Sequence, residues 1–297
     1  MKEREIYFIL IIFFITAFLT AKTFNFGELD DTIKYTLTSI SFVFGVILAF
    51  SIANRQRRLE VIRQKLREQD AVILDIYNLA KIFDNNVLKS IREKLDNLLI
   101  SQLDYKLRDF DKSSKEEMNE LYEIIKNINT KNSLQNDVKN RILFDRLREL
   151  LRIQKEVNYQ INNKMLSIEW ASLILFGSII IVYLLFYFNN GRLFSIITLA
   201  FIATGYFLLL LILYEFDGLR WQENNWIWVP ITRLFIELDL IPYYPALLIK
   251  QKKVNLEEIK DITNKIRLVN YPNFYPNFSG KKVQIKIFTA SFCKKRK

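Results

Sequence analysis

Four long apolar runs organise the chain, at residues 6–21, 35–53, 166–188 and 193–214, and a charged stretch without a single Gly or Pro separates the first pair from the second. The third run carries only Glu169 and the fourth no charge. Each therefore reaches the ~20 residues that a helix rising ~1.5 Å per residue needs to cross a hydrocarbon core. The first run is shorter, but Lys2, Arg4 and Lys22 can extend their charges to the two interfaces, which favours a span. A cleaved signal peptide is the competing reading. It requires a small-residue cleavage site, and Thr20-Ala21-Lys22 is followed by Thr23-Phe24-Asn25-Phe26 with no clear Ala-x-Ala pattern. The expected fold class is an all-α integral membrane protein of four transmembrane helices, with a long cytoplasmic helical insert between the second and third. Its segments are residues 1–53 (two spans), 54–165 (helical stalk), 166–214 (two spans) and 215–297 (interfacial region with a basic tail).

Within the insert, apolar positions repeat every seven residues. Leu59, Leu66, Ile73 and Ala80 form one series, Ile62, Ile76 and Phe83 the other, and only Gln69 interrupts them. This spacing makes a narrow seam that needs a partner helix. With no breaker present, the second span is expected to continue into the stalk as one helix from about residue 35 to 83, roughly 70 Å long at helical rise. Asp84-Asn85-Asn86 interrupts the pattern, and Leu88, Ile91, Leu95, Leu98 and Leu99 mark a second amphipathic helix ending near Arg108. Ser113-Ser114 before Glu116-Glu117 has capping-box spacing and opens a third, with Met118, Leu121, Tyr122, Ile125 and Ile128 on one face. A fourth carries Leu143, Leu147, Leu150, Val157 and Ile161 and is expected to run unbroken into the third span. The seam residues Leu59, Ile62, Leu66, Ile73 and Ile76 either pack inside one subunit or remain exposed to mediate oligomerisation or bind a protein partner.

Charge sets the expected orientation. Arg55-Gln56-Arg57-Arg58, then Arg63, Lys65 and Arg67, follow the second run, whereas the loop before it holds Glu28, Asp30 and Asp31 against Lys22 and Lys34. Lys and Arg are retained on the cytoplasmic side, which puts the insert and both termini there, and residues 189–192 outside. Trp170, Trp221, Trp226 and Trp228 fall at or beyond the cytoplasmic ends of the third and fourth spans, as interfacial anchors do. The net charge of +11 is then explained by an anionic inner leaflet rather than by nucleic acid. Residues 281–288 mix Lys with Val, Ile and Phe, and Lys294-Lys295-Arg296-Lys297 closes the chain. That composition suits an interfacial segment or a solvated basic tail.

The chemistry available is narrow. The chain has no His, one Cys (Cys293) and seven Gly, which removes the usual Ser–His or Cys–His base, a His-containing metal site, an intrachain disulfide and the Gly-rich phosphate loops. These absences argue against an enzyme and against a cofactor. No apolar run holds a buried charged pair, which argues against ion-coupled transport. The second run instead has Ser41, Gly45, Ala49 and Ala53 at intervals of four, with Thr38, Ser39, Phe42 and Phe50 nearby. Such a stripe lets two helices pack closely, or lets several copies surround a pathway in which the aromatic rings form an apolar constriction. From Pro230 onward the chain is punctuated by all five Pro, so a short interfacial helix and turns are expected there. Asn255 before Leu256-Glu257-Glu258-Ile259 looks like the cap of another short helix.

The run Gly45-Val46-Ile47-Leu48-Ala49-Phe50, leading into an Arg-rich helix with Glu68 and Tyr77, and Glu169-Trp170 at the start of the third span resemble the bestrophin-like family of bacterial membrane proteins. The resemblance covers about residues 35–214. It implies an oligomeric anion channel whose pore is lined by the second span, with Phe42 and Phe50 as neck residues and Ser41, Gly45 and Ala49 beside them. On this reading the protein is a homo-oligomer of the plasma (inner) membrane. The alternative is a non-enzymatic membrane scaffold or sensor, including a stress or defence effector, whose stalk binds a partner protein.

Overall fold

A computed structural model describes residues 3–23, 31–104, 110, 115–187, 193–219, 228–246, 249, 259, 261–271 and 280–287. Expectations for Ser113-Ser114, residues 189–192, Trp221, Trp226, the helix from Asn255, the tail Lys294–Lys297 and Cys293 lie outside these residues. In chain order the described helices are α1 (Glu3–Thr23), α2 (Asp31–Ala80), α3 (Asn85–Asp104), α4 (Lys115–Lys126), α5 (Ser133–Asp137), α6 (Phe144–Asn162), α7 (Ser167–Tyr187), α8 (Leu193–Asp217) and α9 (Trp228–Glu237). A π-helical stretch, Val138–Leu143, joins α5 to α6. Three helical stretches contain a segment long and apolar enough to cross a membrane, within Thr38–Ala80, Ser133–Leu184 and Leu193–Asp217; the apolar helix Tyr7–Thr20 is shorter. As the absence of Gly and Pro implies, α2 passes from its apolar run into its charged half without a break.

The chain divides into two compact units, one of Met1–Glu60 with Asn163–Trp221, the other of Val61–Asn162 with Gln222–Lys297. In the first, α1 lies on α8, with Phe13 stacked on Phe207 at 4.4 Å and Phe14 tilted against Phe201 at 5.2 Å. Phe44 and Leu48 of α2 meet Met165, Leu173 and Leu213 in a core completed by Ile52, Trp170, Phe176, Ile180, Tyr206 and Leu210. The hydroxyls of the apolar helices are satisfied locally: Thr16, Ser39, Ser172 and Thr204 each donate to the carbonyl four residues back. That leaves no bare polar group for lipid to meet at those positions.

The expectation that the fourth stalk helix runs into the third span is corrected, because the helix stops at Asn162 and restarts at Ser167. Side chains hold the break open. Glu169 accepts the Leu166 N–H at 2.8 Å, half of a capping box, and Asp217 accepts the Met165 N–H at 2.9 Å, so backbone donors that would have served a continuous helix are satisfied elsewhere.

In the second unit, α3, α4 and α6 pack around Ile91, Leu95, Leu98, Leu121, Ile125, Leu147, Leu150 and Val157, all buried at the apolar spacing read above. The all-α expectation is corrected here. Strands β1 (Tyr243–Pro245), β2 (Lys265–Asn270) and β3 (Lys282–Ile287) form a sheet in the order β1-β2-β3, parallel then antiparallel. Lys-Val-Gln-Ile-Lys-Ile of β3 alternates polar and apolar residues with period two, and β2, Lys-Ile-Arg-Leu-Val-Asn, is rich in β-branched and aliphatic residues, both of which suit a pleated strand. Residues 282–287, within the stretch 281–288 of mixed Lys and apolar residues, form a strand paired with β2. At the end of α9, Asp239 adopts a left-handed backbone (φ 57°), the Leu240 N–H bonds the Phe235 carbonyl at 2.8 Å, and the Tyr77 hydroxyl donates to the Asp239 carboxylate at 2.6 Å. A side chain that anchors the turn offsets the cost of a non-glycine residue at that cap.

Gly177 on α7 is required by a close approach. A Cβ there would collide with the ring and hydroxyl of Tyr206 on α8, whose hydroxyl donates to the Leu173 carbonyl at 3.0 Å and whose ring meets Phe44 at 5.3 Å. Gly177→Ala must expel Tyr206, at a cost of about 1–3 kcal/mol for overpacking. Tyr206→Ala alone loses the ring, whereas adding Gly177→Ala to Tyr206→Ala should cost little more. Thermal unfolding of the four proteins in detergent measures this coupling, and additive losses would show that the two residues do not share one space.

Candidate functional site

The apolar half of α2 has two faces of opposite character. Phe44 and Leu48 point into the core of the first unit, one helical turn apart. Phe42 and Phe50 are 73% and 72% exposed, and Val43, Gly45, Val46, Ile47 and Ala49 share their exposure. A Cβ at Gly45 would meet no atom within 4 Å, so the small-residue stripe does not serve packing inside this unit. Ser41 is half-buried at its edge. The candidate pore residues therefore lie together on or beside an outward, uncharged face that is apolar apart from a few hydroxyls.

At the end of that apolar half, Arg55 and Arg58 are buried, 6% and 5% exposed, and turn toward the last turn of α8. Arg55 donates through Nη1 to the Asn163 carbonyl at 2.7 Å and to Asp217 Oδ1 at 3.3 Å; Arg58 donates to the Asp217 carbonyl at 3.1 Å and lies 3.5 Å from its carboxylate. The same Asp217 Oδ1 caps the Met165 N–H. One carboxylate thus joins α2, the break before α7 and the end of α8, all within the first unit. Arg57, between the two latch arginines in sequence, is exposed. Sequence reasoning had taken Arg55–Arg58 only as an orientation signal and had not joined them to Asp217, since nothing local marks a pairing 162 residues apart.

Of the proposed anchors, Trp170 is half-buried against the core, edge-on to Tyr214 at 6.3 Å. Trp228 is the first residue of α9. Of the seam, Leu59, Ile62, Ile73 and Ile76 are buried within the chain and Leu66 is half-buried. The interrupting Gln69 is buried as well and donates to Gln102 on α3 at 2.9 Å.

A second polar cluster, in the other unit, was not foreseen. Asp104 is 3% exposed at the end of α3 and accepts from Tyr243 at 2.6 Å, from Lys281 at 2.9 Å and from Tyr271. Burial and the adjoining carboxylate push both phenols above their ordinary values, so they stay protonated as donors. Nearby, Arg267 forks onto Asp96 at 2.6 and 2.7 Å and its Nε donates to the Ile241 carbonyl. These contacts border a cleft of ≈ 540 Å³ in which Lys94, Arg267 and Lys281 offset Asp104, Glu116, Glu117 and Glu120. All three of these cations are already matched to a carboxylate, Lys94 to Glu120 at 2.9 Å, and such pairing fastens the sheet to α3 and α3 to α4.

A family model described as a bestrophin-like domain matches residues 6–218 of the chain. No curated protein and no solved structure matches it.

The latch generates a sharp expectation. Asp217→Asn removes the carboxylate that lies within 3.5 Å of both buried guanidinium groups, a class of change that costs about 3–5 kcal/mol. Arg57→Gln removes an exposed charge and should fall within about 0.5 kcal/mol. Melting temperatures of both variants in the same detergent decide it, and a wild-type-like Asp217→Asn would mean that the pair contributes nothing.

Proposed function

The chain belongs to the bestrophin-like family, a family of membrane channels, and from that premise we propose that it forms a homo-oligomeric anion channel with the second span lining the pore. The observation that carries the reading is the outward face of α2, where Phe42, Gly45, Ala49 and Phe50 turn away from the packing of their own unit. Several copies of this face around an axis would make a narrow path with small residues leaving room and phenylalanines as its tight points. The path is free of charge between residues 35 and 53. Ring edges carry partial positive charge and suit a dehydrating anion better than a cation, and the exposed Arg57 just beyond adds an attractive charge at the mouth. In this reading α1, α2, α7 and α8 all span the inner membrane. The Lys and Arg that follow α2 keep residues 54–165 and both termini in the cytoplasm.

Purified protein reconstituted in liposomes should carry a chloride flux, and Phe42→Ala and Phe50→Ala should each raise it severalfold by widening the constriction. Both positions are exposed, so neither change removes a core contact. Unchanged flux in both variants rejects the pore assignment. Light scattering on the detergent-solubilised protein should give a closed ring of at least four subunits, whereas a monomer or dimer leaves no symmetric pore.

A further inference from the structure

A cleft between α2 and α6, wholly inside the second unit, takes no part in the latch or in the outward face of α2. It measures ≈ 590 Å³ and is lined by Val61 and Lys65 of α2 and by Arg152, Lys155, Glu156 and Tyr159 of α6. That volume falls within the ~300–1,000 Å³ of sites that hold small molecules. Helical spacing builds it. Ile153, Val157 and Ile161 are buried and hold α6 against the chain, which leaves Arg152, Lys155 and Tyr159, at steps of three and four, along another side with Glu156 beside them. On α2, Lys65 follows Val61 by one turn, and its ammonium meets Glu156 at 2.9 Å, joining the two helices.

The charge of this cleft is one-sided. Its lining holds three cations and one carboxylate, and that carboxylate is already engaged, Glu156 lying 2.9 Å from Lys65 and 3.9 Å from Arg152. Hydrogen bonds to Glu68 and Glu156 hold Lys65 above the ordinary lysine range, so it stays charged. Lys155 is exposed and makes no ion pair among the described residues, and Arg152 is 64% exposed. Tyr159 is 67% exposed, and its hydroxyl meets no partner among the described residues. We infer that the cleft binds a soluble multivalent phosphate of the linear di- or triphosphate type. A guanidinium fork and ammonium groups match phosphate oxygens, and a phenol adds a neutral donor. Cations spread over two helices suit an anion whose charge is spread over several linked phosphates better than a single small ion. Once seated, such an anion adds a bridge between α2 and α6 beside that of Lys65 and Glu156. The inference rests on the cleft alone and does not depend on conduction.

The test titrates sodium tripolyphosphate into the full chain in phosphatidylcholine nanodiscs and follows the heat. One saturable event per chain is expected, and Arg152→Gln combined with Lys155→Gln should weaken it by about tenfold or more. Tyr159→Phe should weaken it less, by the loss of one neutral hydrogen bond. Arg141→Gln removes an exposed cation outside the cleft and should leave binding unchanged. All four positions are exposed, so melting temperatures without ligand should match the wild type and separate lost binding from lost folding. A second arm uses glycerophosphoglycerol, the water-soluble headgroup of an anionic lipid, whose single charge should bind at least about tenfold more weakly. The inference is overturned if tripolyphosphate shows no saturable binding, if the double variant binds as the wild type does, or if Arg141→Gln loses as much as the double variant, which is a diffuse charge effect. Tighter binding of glycerophosphoglycerol overturns it as well, because the cleft then takes a lipid headgroup.

Discussion

Asp217 is the constraint on which the first unit depends. An arginine taken out of water without a counter-charge is among the most costly arrangements in a protein, and this unit buries two of them side by side. One carboxylate lies within 3.5 Å of both and also takes a backbone N–H from the segment between α6 and α7. The arrangement is satisfied only when α2, the 163–166 break and the end of α8 are simultaneously in place. Nonpolar packing between apolar helices is weakly directional, because lipid tails are as apolar as leucine. The latch adds the direction that such packing lacks: it fixes how far along its axis α2 sits against α8, and thereby which residues of α2 turn into the core and which turn out.

From that setting follows the division of α2 into two faces. With Arg55 and Arg58 facing α8, helical periodicity brings Phe44, Leu48 and Ile52 to the same side and leaves Phe42, Gly45, Ala49 and Phe50 facing away. The stripe of small residues had two readings from sequence, close packing or a pathway, because spacing identifies a face but not its direction. Three-dimensional placement removes packing within the unit from that choice.

Helical elements were legible in the sequence because each writes its own signal: apolar runs of sufficient length, heptad positions on α2, and 3.6-residue periodicity on α3, α4 and α6 all recur at the expected residues. What escaped was written by distance. Asp104 meets Tyr243 across 139 residues and Tyr271 across 167, and neither contact leaves a local pattern. The break at 163–166 escaped for a different reason. Asn162-Asn163-Lys164-Met165 contains no Gly or Pro, and the helix yields there because Arg55, Asp217 and Glu169 claim its backbone groups. Strand β3 did carry a local signal, an alternation of period two, but in a sequence dominated by membrane helices lysine beside isoleucine also fits a lipid-facing segment.

The nesting of Tyr206 into the space above Gly177 has a consequence for descent. Two helices share one volume there, so residue 177 cannot change alone: a side chain at 177 is admissible only in a lineage whose residue 206 has already shrunk. Related chains should therefore lack one combination, a side chain at 177 facing a large aromatic ring at 206. Sequence variation at this pair then records how closely the two helices approach across the family, independently of what the outward face of α2 requires.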